Sequence, residues 1–200
     1  MSDPYVYPGT TVLRNRFGIT NDEQLEFAES KFVVQRIRSG VPQGDFDLKH
    51  LQDIHKHLFQ DIYEWAGEIR TVEMSKGGNQ FQLHQYIQTG LMDIHTRLVR
   101  ANYLRGLRPL DFCRQAGQII GDLNYVHPFR EGNGRVQLQY LKQLANQAGH
   151  SLDLAKLEPE QWIAASRDAH AGNYKTMSQA IYRCLGAREK AKRRDEGRER

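Results

Sequence analysis

Residues 110–148 read LDFCRQAGQIIGDLNYVHPFREGNGRVQLQYLKQLANQA. Phe112, Ala116, Ile119 and Leu123 recur at three- and four-residue steps, which predicts a helix over Leu110–Leu123. A second helix starts within Gly132–Gly134 and buries Leu141, Leu144, Ala145 and Ala148. Between them lies HPFREGNGR, His127–Arg135. A loop anchored at both ends by apolar-faced helices can hold its groups in fixed positions. Gly132 and Gly134 leave the backbone free to approach a ligand. They also sit at the first turn of a helix, where unpaired N–H groups and the dipole favour an anion. Glu131 can bind a hard cation such as Mg²⁺ together with phosphates. Arg135 adds a charged fork for a phosphate. His127 is the residue here that takes up a proton near neutral pH.

The flanking sequence continues in the same period. Thr20 and Glu23 form a capping box ahead of a helix carrying Leu25, Ala28, Phe32 and Ile37, which ends near Ser39-Gly40. Leu48, Leu51, Ile54, Leu58, Ile62 and Trp65 predict an amphipathic helix over Asp47–Trp65. The period then changes. Ile69, Thr71–Met74 and Phe81–Leu83 flank Gly77-Gly78 and predict a short β-hairpin. Helices are expected again over Tyr86–Leu104, from Pro159 to about Ala169, and from about Tyr174 onward. Seven helices and one hairpin make the class all-α.

The chain has 200 residues and a net charge of +4. Residues 187–200 hold seven Lys/Arg against four Asp/Glu, so the remainder is nearly neutral. The division expected is a domain over 1–186 and a charged, solvated tail over 187–200. A neutral body argues against a nucleic-acid-binding face. Cys113 and Cys184 lie in apolar helical stretches and suit a reducing compartment. The N-terminal residues lack a basic region followed by an apolar run, and no stretch approaches the ~18 apolar residues of a membrane span. The expectation is a cytoplasmic protein without a membrane partner, a reading compatible with export by a machine that uses no cleaved signal.

Two rival phosphate motifs fail. GxxxxGK followed by Ser or Thr is absent. A dinucleotide fingerprint would need Gly where Gln137 stands, and a strand where a helix is predicted. HPFREGNGR instead resembles the active-site motif of the Fic family, HxFx(D/E)GNGRxxR. Its six invariant letters arise by chance in such a chain only a few times in about 10⁶. The similarity extends to YVYPGT in the lead-in, IHKHLF at Ile54–Phe59 and YEWAGEIR at Tyr63–Arg70, and it is strongest to short bacterial Fic toxins.

The resemblance implies a helical bundle with a hairpin flap over the cleft, and transfer of AMP from ATP to a Ser, Thr or Tyr hydroxyl of a target protein. It implies that His127 deprotonates the hydroxyl and Glu131 holds Mg²⁺ on the phosphates. Gly132, Asn133 and Gly134 would cradle those phosphates, and Arg135 would steady the departing pyrophosphate. Phe129 would lock the loop into the core. Lys76 in the flap would contact phosphate or target, and Tyr174 would line the base pocket. The target strand would pair with the flap. Type II topoisomerase subunits are the implied targets, and a small antitoxin supplying a glutamate is the implied inhibitor, because the family's own inhibitory motif, (S/T)xxxE(G/N), has no match.

One position departs from the pattern. The second arginine, which in relatives grips the γ-phosphate, is Leu138. Its loss removes a charge-assisted hydrogen bond of ~1.5–3 kcal/mol, roughly ten- to a hundredfold in binding. A weaker ATP site, partial substitution by Lys142, or a different donor nucleotide would each accommodate it. A Fic fold that has lost catalysis and serves as an interaction protein is the alternative to an enzyme. His55 and His57 read as a solvated surface pair. Trp65 and Trp162 read as core anchors.

Overall fold

The computed structural model describes residues 3–186. The tail predicted over 187–200 lies outside the described residues. Among the described residues seven α-helices run α1 (Asp22–Arg38), α2 (Leu48–Phe59), α3 (Ile87–Arg100), α4 (Pro109–Val126), α5 (Asn133–Ala148), α6 (Pro159–His170) and α7 (Lys175–Cys184). Two strands, β1 (Ser75–Lys76) and β2 (Asn79–Gln80), lie between α2 and α3. Among the described residues no helix is long and apolar enough to cross a membrane.

Helix α4 is the centre of the bundle. Its apolar residues Phe112, Ala116, Ile120 and Leu123 are buried, and α3, α5, α6 and α7 all pack against it. Pro109 opens α4 and Pro159 opens α6, each at a position where the missing N–H costs nothing. Helix α2 is capped by Asp47, whose carboxylate accepts from the His50 N–H at 2.8 Å.

Several boundaries differ from the sequence reading, among them that of α3, which ends at Arg100 rather than Leu104. The cap of α1 is Asn21, whose side chain accepts from the Gln24 N–H at 3.0 Å; the Thr20–Glu23 box does not form the terminus. Helix α2 stops at Phe59, and the chain then turns through residues 60–67 to Gly67, at φ 91°. Ile62 and Trp65 still face the core from that turn, which is why the helical pattern overran. The hairpin has only two residues per strand, with Ser75 opposite Gln80 and Lys76 opposite Asn79. Gly77 and Gly78 both take positive φ, 58° and 82°, as a two-residue hairpin turn of the twist-matching type requires.

Candidate active site

The chain leaves α4 through His127, which adopts a left-handed conformation at φ 48° and ψ 63°. This turns the imidazole into a cavity of about 760 Å³. The flap supplies one wall with Lys76 and Phe81, the loop and α5 supply Arg130, Glu131, Asn133, Gly134 and Gln137, and α6 supplies Trp162, Ser166, Arg167 and His170.

His127 is held on three sides. Phe81 stacks on its ring at 3.7 Å between centroids and 12° between planes. Its Nδ1–H donates to the Asn124 carbonyl at 3.1 Å, which leaves Nε2 as the lone-pair nitrogen. Its own carbonyl accepts from Arg70 Nε at 2.7 Å. Burial pushes the imidazole down to about 4, against the Asn124 bond, and the positive charges of Arg70 and Lys76 add to the lowering. The ring is therefore neutral at physiological pH.

Arg70 is fully buried and joins flap to loop. Besides the His127 carbonyl it donates to the carbonyls of Val72 and Gln82, both at 2.6 Å, and of Val126 at 3.3 Å. Two of these carbonyls belong to the arms of the hairpin and two to the end of α4. The flap is thus fastened to the loop by one guanidinium. Only the family resemblance of YEWAGEIR hinted at this residue.

The floor beneath the loop is aromatic. Phe129 is fully buried and stacks on His55 at 4.0 Å. His55 also contacts the rings of Phe59 and Trp65. Far from being solvated, His55 has no exposed surface. Its Nδ1 accepts the Gly67 N–H at 2.7 Å, so Nε2–H donates to the Glu131 carbonyl at 3.1 Å. Burial holds it down to about 3. His57, half-buried, bonds the Arg36 carbonyl at 2.8 Å.

Each residue of the motif has a distinct place. Asn133 closes the loop on itself: Oδ1 accepts from the Phe129 N–H at 3.0 Å and Nδ2 donates to the Phe129 carbonyl at 2.7 Å. Gly132, at φ 82°, lies against Phe59, so that a Cβ there would come within 2.3 Å of the ring. Gly134 has open space at the same test and lines the cavity. Glu131 Oε1 accepts from the Gly132 N–H at 2.8 Å and from Arg135 at 3.2 Å; among the described residues Oε2 accepts no bond. Arg135 does not line the cavity. Its guanidinium pairs with Glu29 of α1 as well as Glu131, and lies over the Phe59 ring at 4.7 Å. Tyr63 holds the other oxygen of Glu29 at 2.5 Å.

Tyr174 also lies off the cavity. Its hydroxyl donates to Asp122 at 2.5 Å and its ring covers Gly121. Leu138 packs half-buried against the core, and Lys142 is exposed and off the cavity lining.

The cationic residues lining the cavity are Lys76, Arg130 and Arg167, against one carboxylate, Glu131. Arg130 is paired with Asp3 at 2.8 Å. The balance favours a polyanion. Among the described residues no group of three or more His, Cys, Asp or Glu side chains could hold a metal. A lone carboxylate suits Mg²⁺ only when phosphates and waters complete the shell, and Glu131 with its unengaged Oε2 fits that case.

Arg167 and His170 were missed because α6 is remote in sequence. Gln137 carried a faint signal: it is a polar residue on the same helical stripe as Leu141 and Leu144.

A model of the Fic/DOC family matches residues 45–145. A Sinorhizobium fredii protein named "Probable protein adenylyltransferase y4lH" is 37% identical over 92% of this chain and 97% of its own length. Protein adenylyltransferase VbhT of Bartonella schoenbuchensis is 40% identical over 92% of this chain and 39% of its own. Among solved structures, the N-terminal Fic domain of a Bartonella effector protein from Bartonella sp. AR 15-3 superimposes with a TM-score of 0.86 at 31% identity, covering 92% of both chains. The BepC protein of Bartonella tribocorum, with bound AMPPNP, superimposes with a TM-score of 0.85 at 28% identity, covering 91% of this chain and 96% of that one.

Proposed function

The chain belongs to the Fic/DOC family, and on that premise we propose that its cleft moves AMP from ATP to a hydroxyl of a target protein. It is a protein adenylyltransferase, a nucleotidyltransferase of Fic type. The observation that carries the reading is the setting of His127. Its Nε2 lone pair lies in a cavity with excess positive charge, beside the open start of α5.

The geometry supports the following roles. Nε2 of His127 accepts the proton of the incoming Ser, Thr or Tyr hydroxyl as that oxygen attacks the α-phosphorus. The bond from the α-phosphorus to the bridging oxygen breaks, and pyrophosphate leaves. The first N–H groups of α5, around Asn133 and Gly134, receive the phosphates. The Asn133 side chain keeps the loop in shape rather than binding. Glu131 is the residue to hold Mg²⁺, which when bound neutralises charge on the phosphates. Lys76, exposed on the flap, is a contact for phosphate or target. Arg135 reaches a phosphate only by leaving Glu29. The exposed flap edge, β1 and β2, accepts a target strand by β-augmentation.

The chain acts as the toxin of a toxin–antitoxin pair, with type II topoisomerase subunits as targets. An inhibitory glutamate from the antitoxin could not make the usual pair at position 138, where Leu138 stands.

The test is incubation with ATP labelled on the α-phosphate, a candidate target and Mg²⁺. A labelled protein band is expected that disappears in His127→Ala, since removing a general base costs ~10²–10⁴ in rate. ATP binding is expected to survive in that variant. Glu131→Ala is expected to raise the Mg²⁺ needed for half-maximal transfer. Label that persists in His127→Ala would show that the base is elsewhere.

A further inference from the structure

We propose that Gln137 positions the triphosphate and a metal-bound water in this cleft, a role that rests on the AMP-transfer reading above. Gln137 is 2% exposed, yet neither its Nε2 nor its Oε1 has a hydrogen-bond partner among the described residues. Buried amides are seldom left with both ends unsatisfied, and such a group in a native fold asks for an explanation. The residue lines the cavity.

Its position says which part of a ligand it meets. Gln137 stands four residues after Asn133 and three after Gly134, on the same face of α5. Side chains on a helix lean toward its N-terminus, so the amide extends toward the N–H groups that would receive the phosphates, about one turn or ~5.4 Å away. A nucleobase, separated from those phosphates by the ribose, lies farther off.

The chemistry narrows the ligand further. An amide needs an acceptor for Nε2–H and a donor for Oε1. A bare polyphosphate offers acceptors only and would set negative oxygens against Oε1. A hydrated magnesium–triphosphate offers both, because Mg²⁺ retains several waters. Other polar groups nearby are committed: the Asn133 amide to Phe129, and Arg135 to Glu29 and Glu131. Leu138, next in sequence, is apolar.

The experiment is calorimetric titration of ATP and of AMP, each with Mg²⁺ and with EDTA, into wild type, Gln137→Leu and Gln137→Met. Both replacements match the glutamine in size and remove its polar atoms. Thermal denaturation without nucleotide is expected to place at least one of them at or above wild type. ATP affinity in Mg²⁺ is expected to fall about tenfold, AMP affinity to stay unchanged, and the gain in ATP affinity on adding Mg²⁺ to shrink. Equal losses for ATP and AMP would assign the amide to base or ribose and overturn the proposal. Unchanged ATP affinity in a folded variant would do the same, leaving the amide to an internal water. If wild type itself fails to bind ATP with Mg²⁺, the AMP-transfer reading falls and this one with it; binding in wild type with no change in the variants removes only the role of Gln137.

Discussion

The two glycines of the motif look equivalent in sequence, and the structure separates them into a packing residue and a cavity-lining one. In Gly132→Ala the new methyl carbon would lie 2.3 Å and 2.4 Å from two atoms of the Phe59 ring, at a residue with φ 82°. Phe59 has no exposed surface and cannot swing away. The left-handed backbone costs an alanine ~1–2 kcal/mol, and overpacking a rigid site costs ~1–3 kcal/mol. The sum is about 2–5 kcal/mol, a fall in Tm of roughly 4–20 °C for a chain of this size. Gly134→Ala meets nothing within 4 Å and has no positive φ. It should leave Tm unchanged or raise it slightly, since alanine is the better helix former by up to ~1 kcal/mol. Its methyl group, however, stands where a phosphate approaches the α5 N–H groups, and a lost charge-assisted hydrogen bond lowers nucleotide affinity roughly ten- to a hundredfold. Thermal denaturation and nucleotide titration on both variants check this. Adding Phe59→Leu to Gly132→Ala should recover the steric part and leave the backbone part, a non-additive pair. Equal Tm changes in the two glycine variants, or a Gly132→Ala protein within 2 °C (about 0.5–1 kcal/mol) of wild type, would refute the reasoning.

Stability should depend on pH through the two buried imidazoles. His127 and His55 are held down to about 4 and about 3 by burial, below the ordinary value near ~6.5, so the unfolded chain takes up these protons first. Their contribution is complete above about pH 6.5, is lost progressively as pH falls, and levels off near 4 and near 3, at up to ~1.4 kcal/mol per pH unit for each; urea denaturation of His127→Asn should show a shallower slope than wild type between pH 6 and 4.5. Leu138→Arg should raise ATP affinity roughly ten- to a hundredfold while leaving AMP affinity alone, and unchanged ATP binding would mean that the γ-phosphate has no need of that grip. Arg70→Met strips four carbonyls of flap and loop of their donor; a loss of ~3–5 kcal/mol is expected, by comparison with broken buried charge networks, and hydrogen exchange should report earlier opening of residues 72–82 than of α4.

Much of the architecture was legible because hydrophobic period reports which face of a segment is buried. It did so for α3 to α7, each within a few residues, and Gly77-Gly78 marked the hairpin turn through its demand for positive φ. It failed at α2, where Ile62 and Trp65 keep the spacing after the helix has ended. It failed also for His55: an imidazole reads as a polar residue in the pattern, although Leu51, Leu58 and Phe59 stand one turn away on α2, and Phe129, seventy-four residues later, covers the ring.

By itself the sequence determined an all-α domain, the loop between two helices, and the residue types that bind a phosphate and accept a proton. The first two follow from local spacing, and the third, residue types able to bind a phosphate and accept a proton, from the chemistry of nine consecutive residues. Only the tertiary structure decided what each of them is free to do. Glu29, over a hundred residues upstream, takes Arg135 away from the cavity, Asp122 takes Tyr174, Phe59 claims Gly132, and among the described residues nothing claims Gln137. A side chain's availability depends on partners brought together by the packing of α1, α2, α4 and α5, and contacts at such separations leave no trace in local pattern.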